Sequence, residues 1–334
     1  ITLWNVYSFY ATYAAVDGFN PSNHPLELND LNILDRWVIA KIHVLIRDGQ
    51  KSMEQFRVDM FMKSFEIFLE ELSNWYVRRN RRRFWKSEDD HDKNSAYATL
   101  YHVLTNLIKS IAPVLPFVSE TIYQNLVVNS ELKSLESVHL CDYPESNEKW
   151  IDMELIKNVD SLKRFVELGR SARSKSKIKI RQPLETVSYA IEDNEVAEFF
   201  MENKEILLDE LNVKEVERLT DLDQLIVYII KPNLRTLGQK YGKGLSEIRN
   251  LLDEGDVSKM VSELQSSNEL KLGNGKYIIS REDVFIETEA TEGFAAESGN
   301  GITVGLSLDI TQDLLMEGLV RDIVRLVQSM RKNA

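Results

Sequence analysis

The chain has 334 residues, 43% apolar and 28% charged, with 41 basic against 53 acidic side chains and a net charge of −12. This excludes a disordered chain and a generically basic nucleic-acid coat. No run approaches ~18 consecutive apolar residues, so a helical membrane span is excluded too. The lone cysteine, Cys141, rules out an intrachain disulfide, argues against a structural zinc site and fits a reducing, cytoplasmic setting.

Ile1 leads directly into an aromatic helix over Leu3 to Ala15, which Asp17-Gly18 ends. No secretory signal opens the chain, and the last residues, Ser329 to Ala334, sit in a helical pattern with no Gly or Pro stop. Both ends read as cuts in a longer protein. After an extended loop over Pro21 to Asn32, a long helix is predicted from Asp35 to about Phe56. Its inward stripe is Trp37, Ile39, Ile42, Leu45 and Ile46. A second long helix is predicted from about Val58 to Trp85, with Phe61, Phe65, Phe68, Leu72, Trp75 and Tyr76 inward, followed by an acidic turn over Ser87-Glu88-Asp89-Asp90. Asn94 to Ile111 is the next helix, broken by Pro113 and Pro116, and Phe117 to Val128 the last of this region. Long helices joined by short loops make a bundle.

The pattern changes after Cys141-Asp142-Tyr143-Pro144. A connecting helix spans Met153 to Arg173, and Ile178 to Ile191 reads as extended. A helix over Asn194 to Asp209, strands over Val213–Leu219 and Leu225–Lys231, and helices near Leu245–Asp253 and Val257–Gln265 follow. Short strands over Tyr277–Ser280, Val284–Thr288 and Ile302–Leu308 precede a final helix from Thr311 to Lys332. The predicted class is mainly α, then α+β: a helical bundle over residues 1–145, a connecting helix or linker over 146–175 and a mixed α+β domain over 176–334.

Two basic clusters stand out against the acidic background. The first runs from Trp75 to Lys86. On a continuous helix with Arg78 at zero, Arg82, Lys86, Arg79 and Arg83 fall at about 40°, 80°, 100° and 140°. That continues the face occupied by Leu72 and Trp75, while Arg81, at about 300°, lies off it. These cations either meet a phosphate backbone, with Trp75 available to stack on bases, or pair internally with Glu88, Asp89, Asp90 and other acids. The second cluster holds Arg170, Arg173, Lys175, Lys177, Lys179 and Arg181 without an acid among them. It reads as a loop entering a strand with one cationic face, used for phosphate contact or as a lysine-protected edge.

Signals for chemistry are poor. His24, His43, His91, His102 and His139 show no metal spacing, no Gly-rich phosphate loop occurs, and Gly242-Lys243-Gly244 is a turn. Catalytic residues, metal ligands and a resident cofactor are therefore not expected.

Three segments together resemble a known family. They are Leu34-Asp35-Arg36-Trp37, the run Asn74 to Trp85, and Ala112-Pro113-Val114-Leu115-Pro116-Phe117-Val118-Ser119-Glu120-Thr121-Ile122-Tyr123. They are similar to the anticodon-binding bundle of class Ia aminoacyl-tRNA synthetases, nearest to the isoleucyl branch of the eukaryotic cytosolic type. Leu168-Gly169-Arg170, Arg181-Gln182-Pro183-Leu184 and Glu317 to Arg325 are similar to that branch's C-terminal region. The valyl and leucyl branches are the alternatives within the class. The HIGH and KMSKS motifs, the editing domain and the bacterial C-terminal cysteine-rich zinc motif have no counterpart here. The resemblance implies a tRNA-recognition piece, with ATP and Mg used only by a parent enzyme. The implied partners are isoleucine tRNA, an N-terminal catalytic domain of the same chain and a multi-synthetase assembly, with no membrane. It raises the RNA reading of both clusters without saying which residues read bases. The rival reading is a protein-assembly module whose basic patches are internal ion pairs.

Overall fold

The computed structural model describes residues 1–28, 31–86, 90–130, 134–220 and 224–333. Contacts divide it into two units, Ile1–Val159 and Asp160–Ala334, and the division falls inside the helix Met153–Lys175. Among the described residues no helix is long and apolar enough to cross a membrane.

The first unit is built from α1 (Thr2–Asp17), α2 (Ile33–Glu54), α3 (Val58–Glu71), α4 (Arg78–Lys86), α5 (Asp90–Ile111) and α6 (Pro116–Leu126). The apolar stripes read from the sequence are its core: Trp37, Ile39, Ile42 and Ile46 of α2 and Leu100, Val103, Leu104 and Leu107 of α5 are fully or almost fully buried. Between α3 and α4 the backbone widens into a π-helical turn over Leu72–Val77. The expected single helix from Val58 to Trp85 is therefore interrupted. One added residue turns everything beyond it by roughly 100° relative to a continuous α-helix.

A buried polar knot ties α2, the π-turn and both sides of the α4–α5 connection. Arg83 reaches Asp35 with both terminal nitrogens, each at 2.8 Å, and reaches Asp92 at 2.7 Å. Tyr76 donates its hydroxyl to Asp35 at 2.6 Å, and Asn80 Oδ1 accepts from Arg83 at 3.2 Å. The side chain of Asp35 is 0% exposed and that of Arg83 13%. Burial opposes the Arg83 charge, but the hydrogen bonds and field of Asp35 outweigh it and hold the guanidinium's pKa above its usual value. Burial beside Asp35 also keeps the Tyr76 hydroxyl protonated, with its pKa raised well above normal.

Midway along the bundle His43 and His102 meet at 3.2 Å through their Nε2 atoms, with Trp150 against both rings. His43 Nδ1 accepts the Asn147 backbone N–H at 3.2 Å. A neutral His43 must then carry its proton on Nε2 and donate it to His102. Burial pushes His102 down to about 3, reinforced by its neighbour, and burial also lowers His43 against the pull of Glu148.

In the second unit, α7 (Met153–Lys175) continues from the first and leads to β1 (Leu184–Ile191). Next come α8 (Asn194–Glu202), α9 (Lys204–Leu211) and β2 (Val213–Arg218). The expected single helix over Asn194 to Asp209 breaks at Asn203, whose side chain bonds back to the Phe199 carbonyl. Gly169 lets α7 lie close to α9, because a Cβ there would fall 2.6 Å from a Leu211 methyl. The main sheet has the order β2-β1-β8-β7, with β7 (Phe294–Gly299) and β8 (Ile302–Ser307). β1 runs parallel to β2 and antiparallel to β8, with Val187 opposite Leu306.

Between β2 and β7 the chain builds a second body: β3 (Ile226–Pro232), α10 (Leu234–Tyr241), α11 (Leu245–Glu254), α12 (Val257–Ser267), β4 (Glu269–Leu272), β5 (Tyr277–Ser280) and β6 (Val284–Ala290). It has its own core, including Leu237, Ile248, Leu252, Val261, Leu264 and Ile279. α13 (Gln312–Asn333) closes the chain. The α-then-α+β class expected from the sequence holds. β4, β7 and α10 were not foreseen.

Two outcomes test these interiors. Arg83→Ala leaves Asp35 buried without its partner and is expected to lower unfolding free energy by about 3–5 kcal/mol. Arg78→Ala, at an exposed site, should change it by no more than about 0.5 kcal/mol in the same urea titration. A loss below ~1 kcal/mol for Arg83→Ala would remove the knot from the structural account. The histidine pair sets a pH response. Both rings are neutral in the fold and bind a proton near pH 6.5 once unfolded, so their stabilisation is present above about 6.5 and is lost as pH falls. His102 alone should account for a loss of about 2 kcal/mol between pH 7.5 and 5. Replacing both histidines by Gln should flatten that part of the profile.

Candidate nucleic-acid interface

The first cluster divides between surface and interior. Arg78 is exposed, and its Nε donates to the Asn74 carbonyl at 2.8 Å. Arg82 is exposed. Arg79 lies over the Trp75 ring, 6.0 Å from its centre. Trp75 is itself buried, so it serves as a platform for Arg79 and has no face to offer a base. Arg83 belongs to the buried knot, and the geometry removes it from the residues that can meet an external phosphate. Its acids are Asp35 and Asp92, among the other acids that the internal-pairing alternative allowed. Glu88, Asp89 and the side chain of Lys86 lie outside the described residues. Arg81, expected off the functional face, is exposed with its guanidinium 5.6 Å from the centre of the Phe9 ring.

The second cluster is reshaped more. Residues 177–181 are not a strand; they form a turn between α7 and β1. The cause is Arg173, 2% exposed, whose guanidinium donates to the carbonyls of Lys179, Gln182 and Asn212 at 2.9–3.2 Å. The carbonyls of Lys179 and Gln182 hold the turn in place, and that of Asn212, which also accepts the Leu184 N–H, ties it to the start of β1. Burial without a facing carboxylate pushes Arg173 down to about 10. It is an interior clamp and not a phosphate contact.

The other five cations of this cluster remain at the surface. Arg170 pairs with the buried Glu210, and Lys175 with Glu297. Arg181 reaches Asp322 at 2.7 Å, with Lys179 at 3.8 Å from the same carboxylate. Lys177 is exposed and has no ion pair among the described residues. It closes α7 in the left-handed conformation, φ 58°, while its N–H bonds to the Ser174 carbonyl and that of Ile178 to Arg173. That is a Schellman ending, in which glycine is the usual residue. The pairs of Lys179 and Arg181 with Asp322 are exposed and contribute little, so these cations can turn to another anion at small cost, whereas Arg170 answers a buried carboxylate.

Two exposed aromatic residues escaped the sequence reading. Phe56 follows α2 and is 91% exposed; Phe117, in the first turn of α6, is 87% exposed. Their signal was available: Phe56 stands outside the stripes of both flanking helices, and Phe117 directly follows Pro116 at a helix start. No group of acidic, histidine or cysteine side chains among the described residues can hold a metal.

Comparison with known proteins gives this geometry a family context. Residues 35–188 match the family described as the anticodon-binding domain of tRNA ligase. The chain is 38% identical to an isoleucine–tRNA ligase of Clostridium novyi, over all of this chain and 32% of that protein. It is 39% identical to that of Clostridium tetani, over 99% of this chain and 32% of the relative. It is 36% identical to that of Chlamydia trachomatis, again over all of this chain and 32% of the relative. The chain thus spans about a third of the length of the curated relatives it matches. These relatives are bacterial, and the eukaryotic affinity expected from the sequence has no support from them. Over residues 35–188 the chain carries the anticodon-binding domain of tRNA ligases, and along its whole length it matches a region of the isoleucine–tRNA ligases.

Proposed function

We propose that this chain holds the anticodon stem and loop of a tRNA, isoleucine tRNA first of all, as part of a cytoplasmic isoleucine–tRNA ligase. The observation that carries the reading is the anticodon-domain match inside a whole-length similarity to isoleucine–tRNA ligases. The parent would join isoleucine to its tRNA with ATP and Mg in a catalytic domain elsewhere in the same protein. Binding energy gathered here, far from the reacting atoms, would serve to place the acceptor end.

Within this reading the surface cations Arg78, Arg79, Arg82, Arg170, Lys175, Lys177, Lys179 and Arg181 supply phosphate contacts. Lys177 is the most informative. The backbone there favours glycine, so Lys177→Gly should leave the fold intact or stabilise it by up to about 1 kcal/mol. The same change should weaken tRNA binding and reduce the slope of log affinity against log salt by roughly one. An unchanged slope and affinity would make Lys177 a bystander.

A second reading, a protein-docking module within a multi-synthetase assembly, draws on α13, where Leu315, Leu319, Ile323, Leu326 and Met330 stand exposed. Titration with isoleucine tRNA and a non-cognate tRNA at two salt concentrations separates the two. Steep salt dependence with preference for the cognate tRNA supports RNA recognition, and its absence supports docking. Because neither a class I signature motif nor a phosphate loop is present in this sequence, the purified chain should show no isoleucine-dependent ATP–pyrophosphate exchange.

A further inference from the structure

We infer that Phe56 and Phe117 form a platform at one end of the bundle on which unpaired bases of an RNA loop stack. The inference rests on the anticodon-binding reading and assigns it residues that neither basic cluster contains.

The two rings share an end of the first unit. Asp35 and Asp92 meet through Arg83, and His43 meets His102 further along, so α2 and α5 run in the same direction. Beyond the histidine contact α2 continues to Glu54 and α5 to Ile111, roughly 16 and 14 Å at the α-helical rise. Both helices therefore turn at about the same level. Phe56 lies in one turn, and Phe117 begins the helix that follows the other. The buried knot, and the arginines of α4 with it, lie toward the opposite end.

Phe56 occupies a backbone position that its side chain does not suit. Its N–H bonds to the Met53 carbonyl and that of Arg57 to Ser52, a Schellman ending with Phe56 at φ 59°. Six described residues other than glycine have positive φ, and four of them are asparagine: Asn212, Asn268, Asn274 and Asn300. Asparagine tolerates this conformation and a bulky aromatic does not. The other two are Phe56 and Lys177, and both project into solvent. At 91% exposure the Phe56 ring gains nothing from the core in return for the strain. Phe117, 87% exposed on the rigid first turn of α6, likewise leaves a whole ring in water.

A flat ring fixed at a helix end suits a base, which stacks through its π-face whatever its identity. Both residues fall within the stretch that matches the anticodon-binding domain. Single-stranded loops, unlike duplex stems, present bases free to stack on aromatic side chains.

The test uses the full chain and a hairpin of the isoleucine anticodon stem and loop, carrying a fluorescent adenine analogue in the loop, beside a blunt duplex of the same stem. Phe56→Ala and Phe117→Ala should each weaken hairpin binding by about 5- to 100-fold, with the salt slope and duplex binding unchanged. The analogue's quenching should be lost with the ring. Phe56→Gly relieves the backbone and should melt no lower than the parent chain, yet bind as poorly as Phe56→Ala. Wild-type affinity in all three variants, or equal losses on hairpin and duplex, would overturn the platform while leaving anticodon binding intact. Failure of the unaltered chain to bind the hairpin would instead overturn the anticodon reading, and the platform with it.

Discussion

The ion pair between Asp35 and Arg83 is the constraint from which the first unit is organised. A buried carboxylate is tolerable only when its oxygens are answered, and here they accept from one guanidinium and one phenol. Those donors come from the π-turn and from α4, so the pair fixes how far the chain rotates between α3 and α4. It also decides which arginines remain at the surface. The one used inside follows four others in sequence, which the first unit leaves outside the knot.

In the second unit Arg173 plays a comparable part with different chemistry. Its acceptors are peptide carbonyls, and it holds a turn instead of joining helices. The turn displays Lys177 and Lys179 because their backbone is already committed to Arg173 and to the end of α7. In both basic clusters one arginine is placed inside and neighbouring cations are left on the surface, where the RNA reading requires them.

Much of this was legible in the residues. The inward stripes of α2, α3 and α5 repeat at helical spacing and are the observed core, and the change to α+β after Pro144 follows the pattern of short β-rich runs. The π-turn was not legible, because Leu72 to Val77 fits an α-helical stripe as well as it fits a wider one. The interior use of Arg83 depends on an acid 48 positions earlier, which no local pattern reveals. The alternation over Lys177 to Arg181 resembles a strand, but the Lys179 carbonyl is held by a buried guanidinium and that of Ile180 by the Asn212 side-chain amide. β7 has the weakly β-forming sequence Phe-Ala-Ala-Glu-Ser-Gly, and its conformation comes from its partner, β8.

The self-cored body between β2 and β7 bears on how the second unit acquires its shape. The pairing of β1 with β8 joins residues more than a hundred positions apart, a contact that is slow to form when the intervening chain is loose. A body that condenses around its own apolar cluster shortens that search, since β3 and β6 bring the ends of the excursion together before the long-range strands meet. Folding of this unit would then be hierarchical. On that ordering the excursion would form first and the central sheet would close late, around a piece already solid.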